Sequence, residues 1–273
     1  MTQEIKRVVV SLDAASETAA AIDTAARQAA RWRVPLHGLF IEDEELIGLA
    51  GFPFARQVSL GAGPEQLTKD HVEDYFRAFA ERARHDITAA AERYDVKWSF
   101  ATVRGPPAPD TLAGEHDFVV AGAATRPIGD HFRIASRCWS WMTIAARPFL
   151  LAKRKWDDGG SVFTLLRRRG RQSERALDIA AQIAGFRRGA LTVAGASDLA
   201  ASDDFDAWAS ALLERHSLSL QTEPAVTEPA ALRQRIAELD CRLLVLDARE
   251  RDVRPDNLRE LVEQLACDVL IFP

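Results

Sequence analysis

The chain has 273 residues and a mass of 30.2 kDa, which is long enough for two ordinary domains or one large one. Apolar residues make up 47% and charged residues 27%, so the composition excludes a disordered or fibrous protein. The net charge of −5 belongs to the later part of the chain, because residues 1–155 hold equal numbers of basic and acidic residues. Neither part has the basic excess that nucleic-acid binding uses, so we expect no nucleic-acid partner.

Hydropathy and cysteine usage indicate the compartment. No uncharged apolar run reaches the length of a membrane span, and the first residues become charged too early for a signal peptide. We therefore expect a cytoplasmic protein without a membrane span. Cys138, Cys241 and Cys267 are too far apart for a zinc motif and too few for a disulfide framework, so we expect them to be small buried apolar residues.

Short apolar strands alternate with helices along residues 1–155. The long helix shows the clearest pattern, since its apolar residues recur every three or four positions and predict one buried face. The predicted strands are 6–12, 35–41, 96–103, 118–121 and 148–152, and the predicted helices are 16–32, 64–94, 109–113 and 134–145.

The same order of elements returns in residues 156–273 after a polar segment at 153–160. A shift of 154 residues aligns 8–39 with 162–193 without a gap, and Val8/Val162 and Gln28/Gln182 are among the identities. This repetition predicts an internal duplication. We expect one domain at 1–155, with an insertion at about 42–63, and a second, degenerate domain at 156–273.

Strands that are apolar throughout and alternate with helices predict parallel sheets covered on both faces. The predicted fold class is α/β, with two tandem doubly wound five-stranded parallel sheets packed as a pseudo-dimer. In such sheets a ligand binds beyond the carboxyl ends of the strands, so the residues that follow the first and fourth strands are candidates for a site.

Four segments resemble the universal stress protein family. They are 7–13 (RVVVSLD) before an alanine-rich helix, 117–122 (DFVVAG), and the strand endings 146–151 (ARPFLL) and 266–271 (ACDVLI). The resemblance implies a strand order of 3-2-1-4-5 in each domain. It also implies that the tandem chain corresponds to a dimer fused into one polypeptide.

The resemblance also implies a nucleotide site that has lost part of its motif. Nucleotide-binding members carry an aspartate after strand 1, and three spaced glycines and a hydroxyl residue after strand 4. Here Asp13 and Gly122 match, Thr125 and Ala135 stand at the second and third glycines, and Ser136 supplies the hydroxyl. Fewer glycines leave less room for backbone amides to approach a phosphate. We therefore expect no bound cofactor, with ATP or AMP as the alternative.

The second half departs further from the motif. Asp247 stands at the strand 4 glycine, where its carboxylate would repel phosphate, and Arg167 stands at the strand 1 aspartate. Arg167, Arg168 and Arg171 lie just before the N-terminus of a predicted helix, so they are candidates for holding a small anion. The alternative is that these arginines form an ordinary solvated face.

No motif for a catalytic nucleophile, a phosphate loop or a metalloprotease helix is present, so we expect no catalytic residues and no enzyme. His71, Asp74 and His85 share a region of the long helix, and we interpret them as spectators and not as metal ligands.

The insertion has an acidic start followed by apolar and aromatic residues. One interpretation is that Leu46, Leu49, Phe52 and Phe54 cover the sheet edge or the mouth of the crevice. The other is that residues 42–60 form an exposed surface for a protein partner or for a homodimer.

Together these features predict a non-enzymatic universal stress protein that acts as a stress-response or signalling adaptor. The alternatives are an ATP- or AMP-binding stress protein that uses only the first domain, and a sensor of a small anion or metabolite.

Overall fold

The computed structural model describes residues 5–14, 18–57, 65–105, 114, 116–123, 148–154, 159–166, 169–187, 189–195, 205–216, 218, 220–223, 229–247 and 255–272. The predicted helices at 109–113 and 134–145 lie outside these residues, as do Cys138, Thr125, Ala135 and Ser136.

Elements of the first half follow the predicted alternation. They are β1 (Arg7–Leu12), α1 (Thr18–Trp32), β2 (Leu36–Glu42), α2 (Glu44–Leu49), β3 (Arg56–Gln57), β4 (Glu65–Gln66), α3 (Lys69–Tyr94), β5 (Trp98–Arg104), β6 (Asp117–Gly122) and β7 (Phe149–Ala152).

The second half repeats this alternation in fewer residues. Its elements are β8 (Ser161–Leu166), α4 (Arg171–Arg187), β9 (Leu191–Gly195), α5 (Phe205–Leu213) with a 3-10 turn at Glu214–His216, β10 (Leu220–Glu223), α6 (Pro229–Glu238), β11 (Cys241–Asp247), α7 (Pro255–Gln264) and β12 (Asp268–Phe272).

Ten of these strands form one continuous sheet in the order β10-β9-β8-β11-β12-β7-β6-β1-β2-β5. Within each half the strand pairs are parallel. If only the strands of this sheet are counted, in chain order within each half, both halves have the order 3-2-1-4-5. The fifth strands of the halves, β7 and β12, pair antiparallel with Leu150 opposite Leu270. The α/β fold is thus confirmed, and the two five-stranded halves are joined edge to edge.

The apolar strand sequences explain why the sheet is buried on both faces. Val8, Val9 and Val10 of β1 are fully buried, as expected for a central parallel strand with helices on both faces. Val8 and Val10 face a core with α1, α3, α4 and α5, whereas Val9 faces the core that contains α6 and α7. Both cores contain residues from the two halves, so the sheet is continuous in packing as well as in hydrogen bonds.

The start of α3 differs from the prediction. The helix begins at Lys69, not at Pro64, because the Thr68 hydroxyl accepts a hydrogen bond from the His71 amide at 3.3 Å and caps the helix. Residues 65–66 pair instead with 56–57 in a small antiparallel sheet. The predicted apolar stripe is confirmed, since Val72, Phe76, Ala83, Ile87 and Ala90 are buried.

Cys241 and Cys267 are buried free thiols, as predicted. Among the described helices, none is long and apolar enough to cross a membrane.

Candidate functional site

Asp13 and Gly122 lie at the same edge of the sheet. Strands β1 and β6 are parallel neighbours with Ser11 opposite Ala121, so the residues just beyond this pair come together at the carboxyl ends. Asp13 is partly buried and Gly122 is buried. The structure therefore brings together the two described residues of the predicted nucleotide site, whereas Thr125 and Ser136 lie outside the described residues.

The backbone beside Gly122 is engaged by the sheet. Gly122 lies opposite Ala152 of β7, and the Ala123 amide donates to the Ala152 carbonyl at 3.1 Å. An amide that completes the β6–β7 ladder is not available to a phosphate oxygen. Gly122, the first glycine of the family motif, is present, but the amide of the next residue, Ala123, is already hydrogen-bonded within the sheet.

Sequence reasoning missed a charged cluster at the ends of β2 and β5. Arg104 Nε donates to Glu42 Oε2 at 3.0 Å, and its NH2 group lies 3.1 Å from Glu73 Oε1 on α3. These bonds, the one to Glu42 above all, raise the pKa of Arg104. The sequence could have indicated this ion pair, because Glu42 and Arg104 directly follow the predicted strands 35–41 and 96–103. The strand order 3-2-1-4-5 places these two strands side by side.

The second crevice is occupied by a side-chain pair. Ser173, in the first turn of α4, donates from Oγ to Asp247 Oδ2 at 2.6 Å, and the residues are 0% and 2% exposed. The amino end of a helix favours a negative charge, and here a carboxylate of the chain itself takes that position. Asp247 ends β11 and stands where the family motif has its first glycine.

The structure describes Arg171 among the three candidate anion-binding arginines, and Arg167 and Arg168 lie outside the described residues. Arg171 is exposed and opens α4, two residues before Ser173. Its neighbour Arg169 places its guanidinium 5.6 Å from the centre of the Trp208 ring. Among the described residues, the Asp247 carboxylate meets this helix end, through its hydrogen bond with Ser173.

The insertion contains a short, well-anchored helix. Asp43 Oδ1 accepts a hydrogen bond from the Leu46 amide at 2.8 Å and caps α2. Ile47 and Ala50 are buried in the core and hold α2 against it, and Leu46 is partly buried beside them. This part of the insertion covers the protein, as one of the two interpretations predicts.

Residues 49–54 of the insertion expose three hydrophobic side chains, Leu49, Phe52 and Phe54, here called the insertion patch. Leu49 and Phe52 are each 48% exposed and Phe54 is 73% exposed. The rings of Phe52 and Phe54 stack with their centres 5.3 Å apart. The covering interpretation is thus confirmed for Leu46 and wrong for Leu49, Phe52 and Phe54, and a partner for these exposed residues stays a prediction.

The structure gives no support for a metal site on α3. Asp74 pairs with Arg77 at 2.6 Å, and His71 and His85 are exposed. Within the described part of the chain, no group of three or more His, Cys, Asp or Glu side chains is arranged to hold a metal ion.

Comparison of the sequence with family models and with curated proteins gives no match. Solved structures do match the fold over nearly the whole chain. A universal stress protein from Archaeoglobus fulgidus DSM 4304 has a TM-score of 0.65 at 12% identity, with 97% of each chain covered. A protein of unknown function from Pseudomonas aeruginosa PAO1 has a TM-score of 0.63 at 14% identity, covering 99% of this chain and 93% of the other. The chain thus has the fold of a tandem universal stress protein, as the sequence resemblance implies.

Proposed function

We propose that this protein is a non-enzymatic universal stress protein of the cytoplasm that acts as a stress-response or signalling adaptor with degenerate nucleotide sites. The observation that carries the proposal is the buried Ser173–Asp247 pair in the second crevice. A carboxylate with so little contact with water repels a phosphate strongly, because there is little solvent to screen the two charges.

The first crevice supports the same proposal more weakly. The Ala123 amide is taken by the Ala152 carbonyl, and Thr125 and Ala135 replace two glycines of the motif. Each change removes a backbone donor or narrows its approach to a phosphate.

The insertion patch supports the adaptor role. A patch of exposed apolar side chains marks an interaction surface more often than a single exposed apolar residue does. Phe52 and Phe54 present two stacked rings at this surface, and aromatic residues supply much of the energy of protein interfaces. A protein partner or a second copy of this chain would bury them.

Replacing Phe52 and Phe54 by serine tests the adaptor role. We expect the double variant to lose self-association in analytical ultracentrifugation, or to lose a partner captured from cell extract, with an unchanged midpoint of thermal unfolding. Phe186→Ser is the matched control, because Phe186 is also an exposed aromatic residue but lies on α4. Equal association by the wild type and the double variant would contradict the proposed role of the patch.

A second candidate function is nucleotide binding by the first half alone. It is favoured by the position of Asp13 and Gly122 on neighbouring strand ends. Mass spectrometry of protein purified without added ligand separates the two candidates. Co-purified ATP or AMP that is lost in Asp13→Ala would support nucleotide binding, and protein without nucleotide would support the adaptor.

A sensor of a small anion is the weaker alternative. Ser173, two residues after Arg171, already donates to an internal carboxylate, so this helix end is supplied with a negative charge.

A further inference from the structure

A cavity of about 520 Å³ lies between the insertion and the start of α3, apart from the crevice residues described above. Its apolar wall consists of Leu46 from α2, Leu67 after β4, and Val72 and the Tyr75 ring from α3. This volume falls within the range of about 300 to 1,000 Å³ that small-molecule sites occupy. The cavity can therefore take an organic molecule and not just a single ion.

The walls of the cavity are held in place by interactions outside it. The cap of Asp43 on α2 positions Leu46, and the Leu67 amide donates to the Ala55 carbonyl at 3.0 Å. The Thr68 cap fixes the first turn of α3, where Val72 is only 3% exposed. A cavity whose walls are already ordered loses little entropy when a ligand binds.

Tyr75 is an aromatic surface available to a ligand. Its ring centre lies 4.5 Å from that of Phe79 and 6.1 Å from that of Phe76, so the ring is supported from behind by its neighbours. The residue is 46% exposed, which leaves part of its ring free for contact. An aromatic face attracts cations through its quadrupole.

The titratable groups of the cavity are acidic or imidazole. Glu65, His71 and Asp74 line it, and neither lysine nor arginine is among the described residues of the lining. Arg77 pairs with Asp74 from outside the described lining at 2.6 Å, and Glu65 is an exposed carboxylate on β4. The rim therefore favours a positive ligand and disfavours a phosphate or carboxylate ligand.

We propose that this cavity binds an organic cation, a primary or quaternary amine carried on an aromatic or aliphatic body. The amine would lie between Glu65 and the Tyr75 ring, and the apolar body would pack against Leu46, Leu67 and Val72. This site is separate from the crevices of the two halves, and its ligand has the opposite charge to a nucleotide.

Two fluorescent dyes of similar size and opposite charge test the proposal: thioflavin T, which is cationic, and anilinonaphthalene sulfonate, which is anionic. We expect the intact protein to bind thioflavin T saturably with one site, and at least tenfold more tightly than the anionic dye. Glu65→Gln with Asp74→Asn should weaken thioflavin T binding at least tenfold.

The matched control is Glu81→Gln with Glu92→Gln, which makes the same change in charge at exposed positions farther along α3. This control should bind thioflavin T as the wild type does. Equal loss in both double variants would show a general charge effect and overturn the proposal, as would tighter binding of the anionic dye.

The insertion patch is a second hydrophobic surface on which a dye could bind. Phe52→Ser with Phe54→Ser should keep thioflavin T binding, and its loss in that variant would place the dye on the patch and overturn the cavity site. Failure of the adaptor proposal would leave these dye results unchanged, so the two proposals fail independently.

Discussion

Two glutamines at equivalent positions of the repeat have different surroundings. Gln182 on α4 accepts from Trp32 Nε1 at 2.8 Å and donates to Asp178 Oδ2 at 3.0 Å. Gln28 on α1 is fully buried, and neither its oxygen nor its nitrogen has a hydrogen-bond partner. A shift of 154 residues relates Trp32 to Phe186, and a phenylalanine cannot donate the bond that Gln28 lacks.

Phe186→Trp should therefore stabilise the protein. The indole N–H would supply to Gln28 the donor that Trp32 supplies to Gln182, and we expect a gain of about 1 kcal/mol in the free energy of unfolding. Urea unfolding followed by circular dichroism measures this change.

Trp32→Phe is the complementary control, because it removes the existing donor to a partly buried glutamine. It should cost about 1 to 2 kcal/mol, including lost packing against Phe118, whose ring centre lies 4.8 Å away. A neutral or destabilising Phe186→Trp would show that α1 and α4 are not equivalent at this contact.

At the scale of elements, a lysine at the end of β7 joins the two halves. Lys153 is 3% exposed; its Nζ donates to the carbonyls of Val262 and Leu265 near the end of α7, and its amide donates to Asp268 Oδ1 at 2.8 Å. Burial lowers the pKa of Lys153 to about 8, against its ordinary 10.5. Lys153 thus connects the two halves, and burial of its ammonium group lowers the free energy of unfolding when that group is charged.

The free energy of unfolding should rise with pH between about 8 and 10.5. In this window the unfolded chain holds a proton on Lys153 that the folded chain has released, so raising the pH favours the folded state. The shift corresponds to about 3 kcal/mol over the whole window, and the penalty is fully present below pH 8. Urea unfolding at a series of pH values measures the rise, which Lys153→Met should lack.

Other titratable groups lie near this lysine. The thiol contact between Cys241 and Cys267 lowers the pKa of Cys267 and raises that of Cys241, and Asp268, Glu263 and Arg154 also act on the ammonium group. Cys267→Ser should keep most of the rise if Lys153 is its source. A rise that persists in Lys153→Met and disappears in Cys267→Ser would assign it to the thiols.

The close approach of α3 to the sheet makes a further prediction. A Cβ at Gly38 would lie 2.2 Å from Ile87 Cδ1 and 2.8 Å from Phe100 Cδ2, and Ile87 is fully buried, so its side chain must shift within the core. Gly38→Ala should therefore cost about 1 to 3 kcal/mol in thermal or urea unfolding.

Gly48→Ala is the matched control, because nothing lies within 4 Å of its added methyl group and Gly48 is inside helix α2. It should be neutral or stabilise by up to about 1 kcal/mol. Equal effects of the two substitutions would mean that α3 does not pack on β2 as described.

At the scale of the whole molecule, one continuous sheet joins the two halves. Strands β7 and β12 pair across the centre, and each core includes residues of both halves. The second half therefore contributes to the packing of the first. Its crevice residue Asp247 has become part of the core, with 2% exposure.

Much of this architecture could be predicted from the sequence because buried parallel strands are continuous apolar runs, as at 162–166 and 269–272. The β3–β4 pair could not, since two residues per strand carry no periodicity. The Ser173–Asp247 bond joins residues 74 positions apart, so no local pattern reports it. The cavity depends likewise on three separate segments that meet only in the folded chain.

We propose that the crevices of this universal stress protein fold do not hold a nucleotide. Calorimetric titration of the intact protein with ATP and magnesium tests it most directly. We expect no saturable heat, or a Kd weaker than about 1 mM. A micromolar Kd would contradict it.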